Sequence, residues 1–200
     1  MMSTRQSHGI KGRVLTWLSS GDDFDLGVVP RLLALPARQA INSLFSSLCS
    51  NEERIKWRAV RAFGLLVARL VEDDIEFCRV IMRRLMWSLN DESGGIGWGA
   101  PEAMAEIIAQ SDLLAAEYGH ILVSYMRQDG NFLEHELLQR GLLWGIGRVA
   151  EARSALLHAL KIEIYLLPYL EASDPVVRGR AVRTARLLGL ESASARLDRL

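Results

Sequence analysis

A four-residue phrase that recurs at a nearly constant interval constrains this chain more than any other feature. It reads Trp-Arg-Ala-Val where it begins at Trp57, and degraded copies begin at Trp98, Gln139 and Gly179. Its second position steps from residue 58 to 99, 140 and 180, which gives spacings of 41, 41 and 40 residues. A fixed period in this range is typical of stacked helical repeats, in which each repeat buries its apolar face only against its neighbours. The sequence therefore predicts a repeat architecture.

The composition fits one continuous folded stack. The 200 residues are 50% hydrophobic, and 24 basic residues balance 24 acidic ones, so the formal net charge is zero. Disorder requires low hydrophobicity with high net charge, and a nucleic-acid binder usually has a basic excess. No apolar run approaches the roughly 20 residues of a membrane span. We therefore expect a cytoplasmic protein with no membrane segment, in which Cys49 and Cys78 are small core residues and form no disulfide.

Apolar residues recur at helical spacing along the chain, and clusters of Gly, Ser, Asp and Pro separate the segments. The predicted helices span about 10–20, 37–49, 52–71, 74–89, 112–128, 132–151, 153–170 and 175–189, and another begins near Pro101. No segment sustains the alternation of a strand. We predict an all-α, right-handed superhelix of about four to five antiparallel helix pairs. Residues 1–50 would form a divergent cap or repeat, and residues 51–200 one continuous set of repeats.

An acidic residue stands six positions before the Arg of three of the four phrases. The pairs are Glu52 with Arg58, Glu134 with Arg140, and Asp174 with Arg180, whereas the second phrase has Ser93 and Gly99. This pattern resembles HEAT repeats, and the chain is also similar to short bacterial HEAT-like proteins grouped with phycobilin lyase repeats. The resemblance implies that the three pairs form a structural ladder between adjacent repeats, and that the ladder is missing at the second phrase.

Eight arginines near the repeat phrases allow two interpretations. They are Arg58, Arg61, Arg140, Arg148, Arg178, Arg180, Arg183 and Arg186. DNA-repair glycosylases with HEAT-like repeats hold duplex DNA on a basic concave surface, so the resemblance implies a phosphate track as one interpretation. The other is that these arginines are ladder residues or members of paired, solvated faces. The zero net charge favours the structural interpretation.

Two groups of tryptophans have different surroundings. Trp57 and Trp144 lie within apolar helical patterns and are expected to fill the core between repeats. Trp98 stands between Gly97 and Gly99, after a Gly-rich stretch that begins at residue 93, so it either plugs the gap in the ladder or contacts a ligand. The stretch is followed by no Lys-Ser/Thr pair, so it is not a nucleotide-binding loop.

Metal and catalytic signals are thin. Glu117 and His120 form a single Glu-x-x-His, whereas di-iron helical bundles need two such pairs and two further carboxylates. His135 and His158 lack ligand spacing to one another, and no Ser, Cys or Lys stands in a nucleophile motif. The sequence therefore predicts no metal, no cofactor and no catalytic residue, and it favours a non-catalytic protein.

The leading hypothesis is a protein-interaction or scaffold module that presents a curved helical surface to a protein partner, which the sequence does not identify. The candidate contact residues are Arg79, Arg83, Arg84, Trp98, Tyr118, Tyr125 and Arg127. The alternative is a DNA-binding or DNA-repair protein of the HEAT-like alkylpurine glycosylase type. A third hypothesis, an enzyme or cofactor-handling protein of the bilin-lyase kind, has no residue that points to it.

Overall fold

The computed structural model describes residues 9–90 and 97–190, and within them the chain is helical with no strand. The α-helices are α1 (Ile10–Ser19), α2 (Val29–Leu33), α3 (Ala37–Leu48), α4 (Glu53–Leu70), α5 (Ile75–Ser88), α6 (Ala100–Gln110), α7 (Asp112–Ser124), α8 (Glu136–Ala159), α9 (Ile162–Leu166) and α10 (Pro175–Leu187). A π-helical turn, Phe24–Val28, precedes α2, and a 3-10 turn, Leu167–Glu171, follows α9.

The helices form two layers. Helices α1, α4, α6, α8 and α10 pack side by side in that order, and we call them the A layer. The B layer consists of α3, α5, α7 and α9, and each of its helices packs on two consecutive A-layer helices. This arrangement is a helical-repeat solenoid, as the sequence period predicts. Helices α1 and α3 extend the two layers at the N-terminal end of the stack.

Polar contacts between elements also follow the repeat. Arg84 donates to Asn42, Arg148 to Glu106, and the hydroxyl of Tyr169 to the carbonyl of Met126, and these partners are 42, 42 and 43 residues apart. A separation of about one period means that each such bond joins a repeat to the next one. The stack is therefore held by polar bonds between neighbours as well as by its core.

Short side chains and prolines define most helix starts. Asp74, Ser111 and Asp174 accept hydrogen bonds from backbone N–H groups of the following turn, and Pro101 and Pro175 occupy first-turn positions. The break expected near residue 152 is a kink inside α8, where Arg153 has non-helical angles (φ −148°, ψ 51°). The start of α8 lies four residues later than expected, because the amides of Asn131 and Leu133 bond back to α7 and its C-cap residue.

One core prediction is wrong. Cys78 is buried in the apolar core as expected, but Cys49 is exposed, because it is the residue that ends α3 at the turn towards α4. Within the described ranges, no helix is long and apolar enough to cross a bilayer.

Candidate functional site

Helix α6 lies at the centre of the A layer and is sealed by its neighbours. Every residue from Ala100 to Ala109 is buried, including Glu102 and Glu106, which are only 3% and 4% exposed. Lys56 of α4 donates to Glu102 over 2.7 Å. Arg148 of α8 reaches Glu106 with two donors, one of them at 2.8 Å. Both buried carboxylates are thus neutralised from the flanking helices, as burial requires.

Two tryptophans on the helices that flank α6 contact each other. The rings of Trp57 in α4 and Trp144 in α8 lie 4.6 Å apart between centroids, although α6 separates their helices. The indole N–H of Trp57 donates to Glu53. Both rings pack on the core, but they are half-buried, so they cover α6 rather than fill the space between repeats as expected.

Small residues allow this close approach. A methyl group at Gly145 of α8 would lie 2.6 Å from the Cβ of Ala105, and one at Gly141 would lie 2.6 Å from a carboxylate oxygen of Glu102. Both distances are too short for real contacts. A larger residue at Gly145 would force α8 away from α6, whereas one at Gly141 would displace the carboxylate of Glu102.

The ladder was predicted between adjacent repeats, and the arginine of each pair bonds outside its own repeat rather than to the acidic residue of its pair. Asp174 is bonded at 2.7 Å to Arg140, the arginine of the preceding phrase, and Arg180 donates to the carbonyl of Arg140. Burial acts to raise the pKa of Asp174, but the hydrogen bonds from Arg140 and from two backbone amides outweigh it and lower that pKa. The acidic residue therefore acts as a helix cap that is bonded to the neighbouring repeat.

Arg58 is bound in another way. Its guanidinium donates to the carbonyls of Leu18, Ser20 and Asp22 over 3.2, 2.8 and 2.7 Å, with a longer contact to Trp17. These carbonyls lie at the end of α1 and just beyond it, where helical partners are lacking. Glu52 and Glu134 are exposed and form no ion pair within the described ranges, so the predicted bonds from them are absent there. The predicted gap at Ser93 lies outside the described residues.

The other arginines of the suggested phosphate track are also mostly paired. Arg61 contacts Asp25 and Arg183 contacts Glu151, while Arg178 donates to two carbonyls of its own turn. Arg186 is exposed, and its side chain has no hydrogen bond or ion pair in the part of the chain that the structure describes. These bonds support the structural interpretation of the arginines.

Five of the seven candidate contact residues have other partners or are buried. Arg79 forms ion pairs with Glu117 and Glu76, and Arg84 stacks on Phe45 at 3.9 Å. Tyr118 and Tyr125 are only 8% and 6% exposed, so they do not offer their rings on the surface as the sequence predicted. The reason is that both face the core from α7 and its C-cap, beneath neighbouring helices.

Arg127 and the possible metal pair also have internal partners. Arg127 pairs with Asp129 at 2.9 Å and lies over the ring of Tyr165. The hydrogen bonds from Arg79 lower the pKa of Glu117, which leaves the Glu-x-x-His pair without a free carboxylate. Among the described residues, no group of three or more His, Cys, Asp or Glu side chains could hold a metal ion.

Arg83 and Tyr125 do line an open groove of about 820 Å³ at one edge of the stack. It lies between the end of α5 and the loop from α7 to α8, and we call it the edge groove. Its walls are Arg83, Met86, Trp87, Leu89, Asn90, Tyr125, Asn131, Phe132, Leu133, Glu134, His135 and Leu138. Trp98, the remaining candidate, stands beside it with its ring 6.3 Å from that of His135.

The edge groove combines exposed aromatic surface with unpaired charge. Trp87 is 59% exposed and Trp98 is 40% exposed, and both are large apolar side chains. Arg83 and Glu134 are exposed and form no ion pair within residues 9–90 and 97–190. Burial raises the pKa of Tyr125 to about 12, so its phenol stays protonated at neutral pH. The groove can therefore accept an apolar side chain between a positive and a negative charge.

Sequence reasoning missed Trp87, Phe132 and Glu134 as groove residues. Trp87 lies in the last turn of α5, which carries apolar residues on more than one face, so the sequence pattern does not mark its ring as exposed. Phe132 was expected to start a helix, and the structure places it in a loop. The pairing of Glu102 and Glu106 on one face could have been predicted from the sequence, because two acids four residues apart in an otherwise apolar helix share one face.

Comparisons with known proteins agree with this architecture. No protein-family model matches the sequence, and no curated protein matches it. Two crystal structures of engineered proteins from the Northeast Structural Genomics Consortium match with a TM-score of 0.50 each. Their identities are 16% and 15%; both cover 96% of this chain, which in turn covers 85% and 86% of theirs. A designed armadillo repeat protein matches over 90% of this chain and 100% of its own, at 16% identity and a TM-score of 0.40.

The chain has a helical-repeat solenoid fold. No subfamily is identified. At 15–16% identity, the likeness to the engineered proteins concerns the fold alone. The function must be argued from the surface of this chain.

Proposed function

We propose that this protein is a non-catalytic interaction module that binds a segment of a partner protein in the edge groove. The observation that carries the proposal is the exposed indole of Trp87 beside an open groove of about 820 Å³. Exposed tryptophans are the residues most enriched among those that dominate binding energy in protein interfaces. Helical-repeat scaffolds hold such side chains on rigid elements, which limits the entropy lost on binding.

The groove specifies the chemistry of its occupant. Arg83 on α5 and Glu134 on the opposite loop lie on different walls, and neither is neutralised by an ion pair among the described residues. We expect the bound segment to insert an aromatic or branched aliphatic side chain beside Trp87. It would carry an acidic residue towards Arg83 and a basic residue towards Glu134, because complementary charges fix register and orientation.

The A layer supplies a contrasting surface. The carboxylates of Glu102 and Glu106, which lie on its central helix, are both bound by basic side chains of the flanking helices. A ligand of this surface would have to compete with those ion pairs, whereas a ligand of the edge groove meets none at Arg83 or Glu134. This difference supports the groove as the binding face.

A random peptide library displayed on phage tests the proposal directly. Peptides enriched on the full chain should share an apolar anchor flanked by an acidic residue, and their affinity should be measured by fluorescence anisotropy. Trp87→Ala should weaken binding by about 30-fold or more, the loss expected of a hot-spot residue. Ile164→Ala is the matched control, because Ile164 is 61% exposed and lies in α9, outside the groove lining.

Charge reversal makes the test sharper. Selection on the Arg83→Glu variant should enrich peptides with a basic residue at the position where the unmodified protein enriches an acidic one. Peptides that bind the Trp87→Ala and Ile164→Ala variants equally well would contradict the proposal. So would selection of duplex DNA in place of peptides, recognised by affinity that falls steeply with added salt.

A further inference from the structure

A second cavity, of about 260 Å³, lies between α8 and α10, and the established contacts do not account for its charge. Its lining residues are Leu143, Trp144, Arg148, Glu151, Arg180 and Arg183. Three guanidinium groups therefore face a space that holds one lining carboxylate. At roughly 30 Å³ per water molecule, the volume exceeds what a phosphate-sized ion with part of its hydration shell needs.

Of the three arginines, only Arg180 has a positive charge that is not paired with a carboxylate in the described part of the chain. Arg148 is neutralised by Glu106 and Arg183 by Glu151. The hydrogen bond of Arg180 goes to the backbone carbonyl of Arg140, a neutral acceptor, and this arginine forms no ion pair in the described part of the chain. A guanidinium has five N–H donors, so most of the donors of Arg180 remain available.

Arg58 occupies the same position of the repeat phrase as Arg180, and its guanidinium has several hydrogen-bond acceptors. Its guanidinium is shared among four carbonyls at the end of α1. Arg180 stands three phrases later and has one such acceptor, the carbonyl of Arg140. Burial lowers the pKa of Arg180, as does the charge of Arg140, and three carboxylates that form no ion pair with it act in the opposite direction, those of Glu102, Glu53 and Asp174. The fold therefore partly desolvates this charge without pairing it.

A second polar group at the same seam also lacks a partner. The hydroxyl of Thr184, one turn after Arg180 on α10, is fully buried and has no hydrogen bond. A methyl group at Gly147 of α8 would lie 3.0 Å from this hydroxyl and 3.2 Å from Nη1 of Arg183, so both groups face the same point on α8. Unpaired buried hydroxyls are rare in native proteins and call for an explanation.

We propose that the cavity between α8 and α10 binds a single oxyanion of phosphate size. Arg180 supplies the charge that the fold leaves unpaired, and Arg183 and Arg148 enclose the ion from α10 and α8. Charge-assisted hydrogen bonds from guanidinium groups to such an anion are about twice as strong as neutral ones. The site is separate from the edge groove, since the two cavities share no lining residue.

Thermal unfolding of the full chain in inorganic phosphate tests this proposal, with sodium chloride added to keep the ionic strength constant. At a phosphate concentration ten times the dissociation constant, the melting temperature should rise by about 3–6 °C for a chain of this size. The rise should vanish in Arg180→Gln. The readout is the shift caused by phosphate, so it remains valid if the variant itself melts at a lower temperature.

Arg186→Gln is the matched control, because Arg186 is exposed on the same helix and does not line this cavity. It should keep the full phosphate shift, and isothermal titration should give it the same affinity as the unmodified protein. For Arg180→Gln, titration should show at least a tenfold loss of affinity. A phosphate shift that is absent in the unmodified protein, or equal in Arg180→Gln, would overturn the proposal, as would an equal loss in both variants.

Discussion

The surroundings of α6 in the A layer and the edge groove differ in whether their charged side chains are paired within the fold. Above α6, Glu102 and Glu106 are buried and bound by basic residues of the flanking helices. At the edge groove, Arg83 and Glu134 are exposed and have no ion pair in the described ranges. Charges that the fold has already paired cannot be separated without cost, whereas unpaired charges beside exposed aromatic rings are available to a partner. Similar residue types therefore have opposite roles in the two regions.

The two regions also differ in packing. The A layer brings α8 so close to α6 that Gly145 has no room for a methyl group. The edge groove instead leaves the ring of Trp87 more than half exposed. A substitution in the first region should therefore act on folding, and one in the second on binding. Each of the following experiments measures one side of that contrast.

The largest effect on stability should come from breaking the ion pair of Glu102. Lys56→Met leaves this carboxylate buried and unpaired, and it should lower the free energy of unfolding by about 3 kcal/mol. Adding Glu102→Met should recover most of the loss, because apolar residues of similar size often replace a buried pair without cost. Urea titrations of the two variants measure both values.

Arg31→Met is the control for Lys56→Met. It removes a surface ion pair with Asp22 in which both side chains are nearly half exposed, so the change should be below about 1 kcal/mol. A double variant as unstable as Lys56→Met alone would show that the buried pair is not what makes this region sensitive.

The next largest effects on stability should come from Gly→Ala substitutions, which should have opposite signs at two positions. Gly145→Ala places a methyl group 2.6 Å from Ala105, and overpacking of this kind should destabilise the chain by about 1–3 kcal/mol. The same substitution at Gly179 of α10 meets nothing within 4 Å, and it should stabilise the chain by up to about 1 kcal/mol, since Ala favours helix more than Gly. Equal stability of the two variants would mean that α8 does not pack tightly on α6.

A smaller effect is expected for the tryptophan contact above α6. In a double-mutant cycle of Trp57→Ala and Trp144→Ala, the coupling energy should be about 1 kcal/mol, the usual worth of an aromatic pair beyond its buried area. Trp17→Ala replaces Trp144→Ala in the control cycle, because Trp17 lies on α1 and has no ring contact with Trp57 among the described residues. A coupling energy of zero would mean that the contact between Trp57 and Trp144 does not stabilise the fold.

The repeat phrase carried enough information to predict the stack of helix pairs, but not the bonding partner of each ladder residue. It could not show that Asp174 bonds to the arginine of the preceding phrase, because the offset within a phrase and the offset between phrases are both compatible with a ladder. The contact of Trp57 with Trp144 joins helices on either side of α6, so no pattern within one repeat reports it.

The edge groove was still harder to predict. Its walls come from the end of one helix and from a loop about 45 residues later, and the sequence pattern assigned part of that loop to a helix. Whether Tyr118 or Trp87 is exposed depends on the phase of each helix against its neighbours, since both helices carry apolar residues on more than one face. Burial of this kind is fixed by tertiary packing, which periodicity alone does not determine.

The smallest effect on stability should come from Trp87→Ala, although the same change should have the largest effect on binding. Trp87 is 59% exposed, so its loss removes little buried area and should change the free energy of unfolding by no more than about 0.5 kcal/mol. Urea titration of Trp87→Ala beside Ile164→Ala, an equally exposed residue, checks this value. A loss of 2 kcal/mol or more at Trp87 alone would place its ring in the packing of the stack, and weakened peptide binding would then follow from damage to the fold rather than from a lost contact.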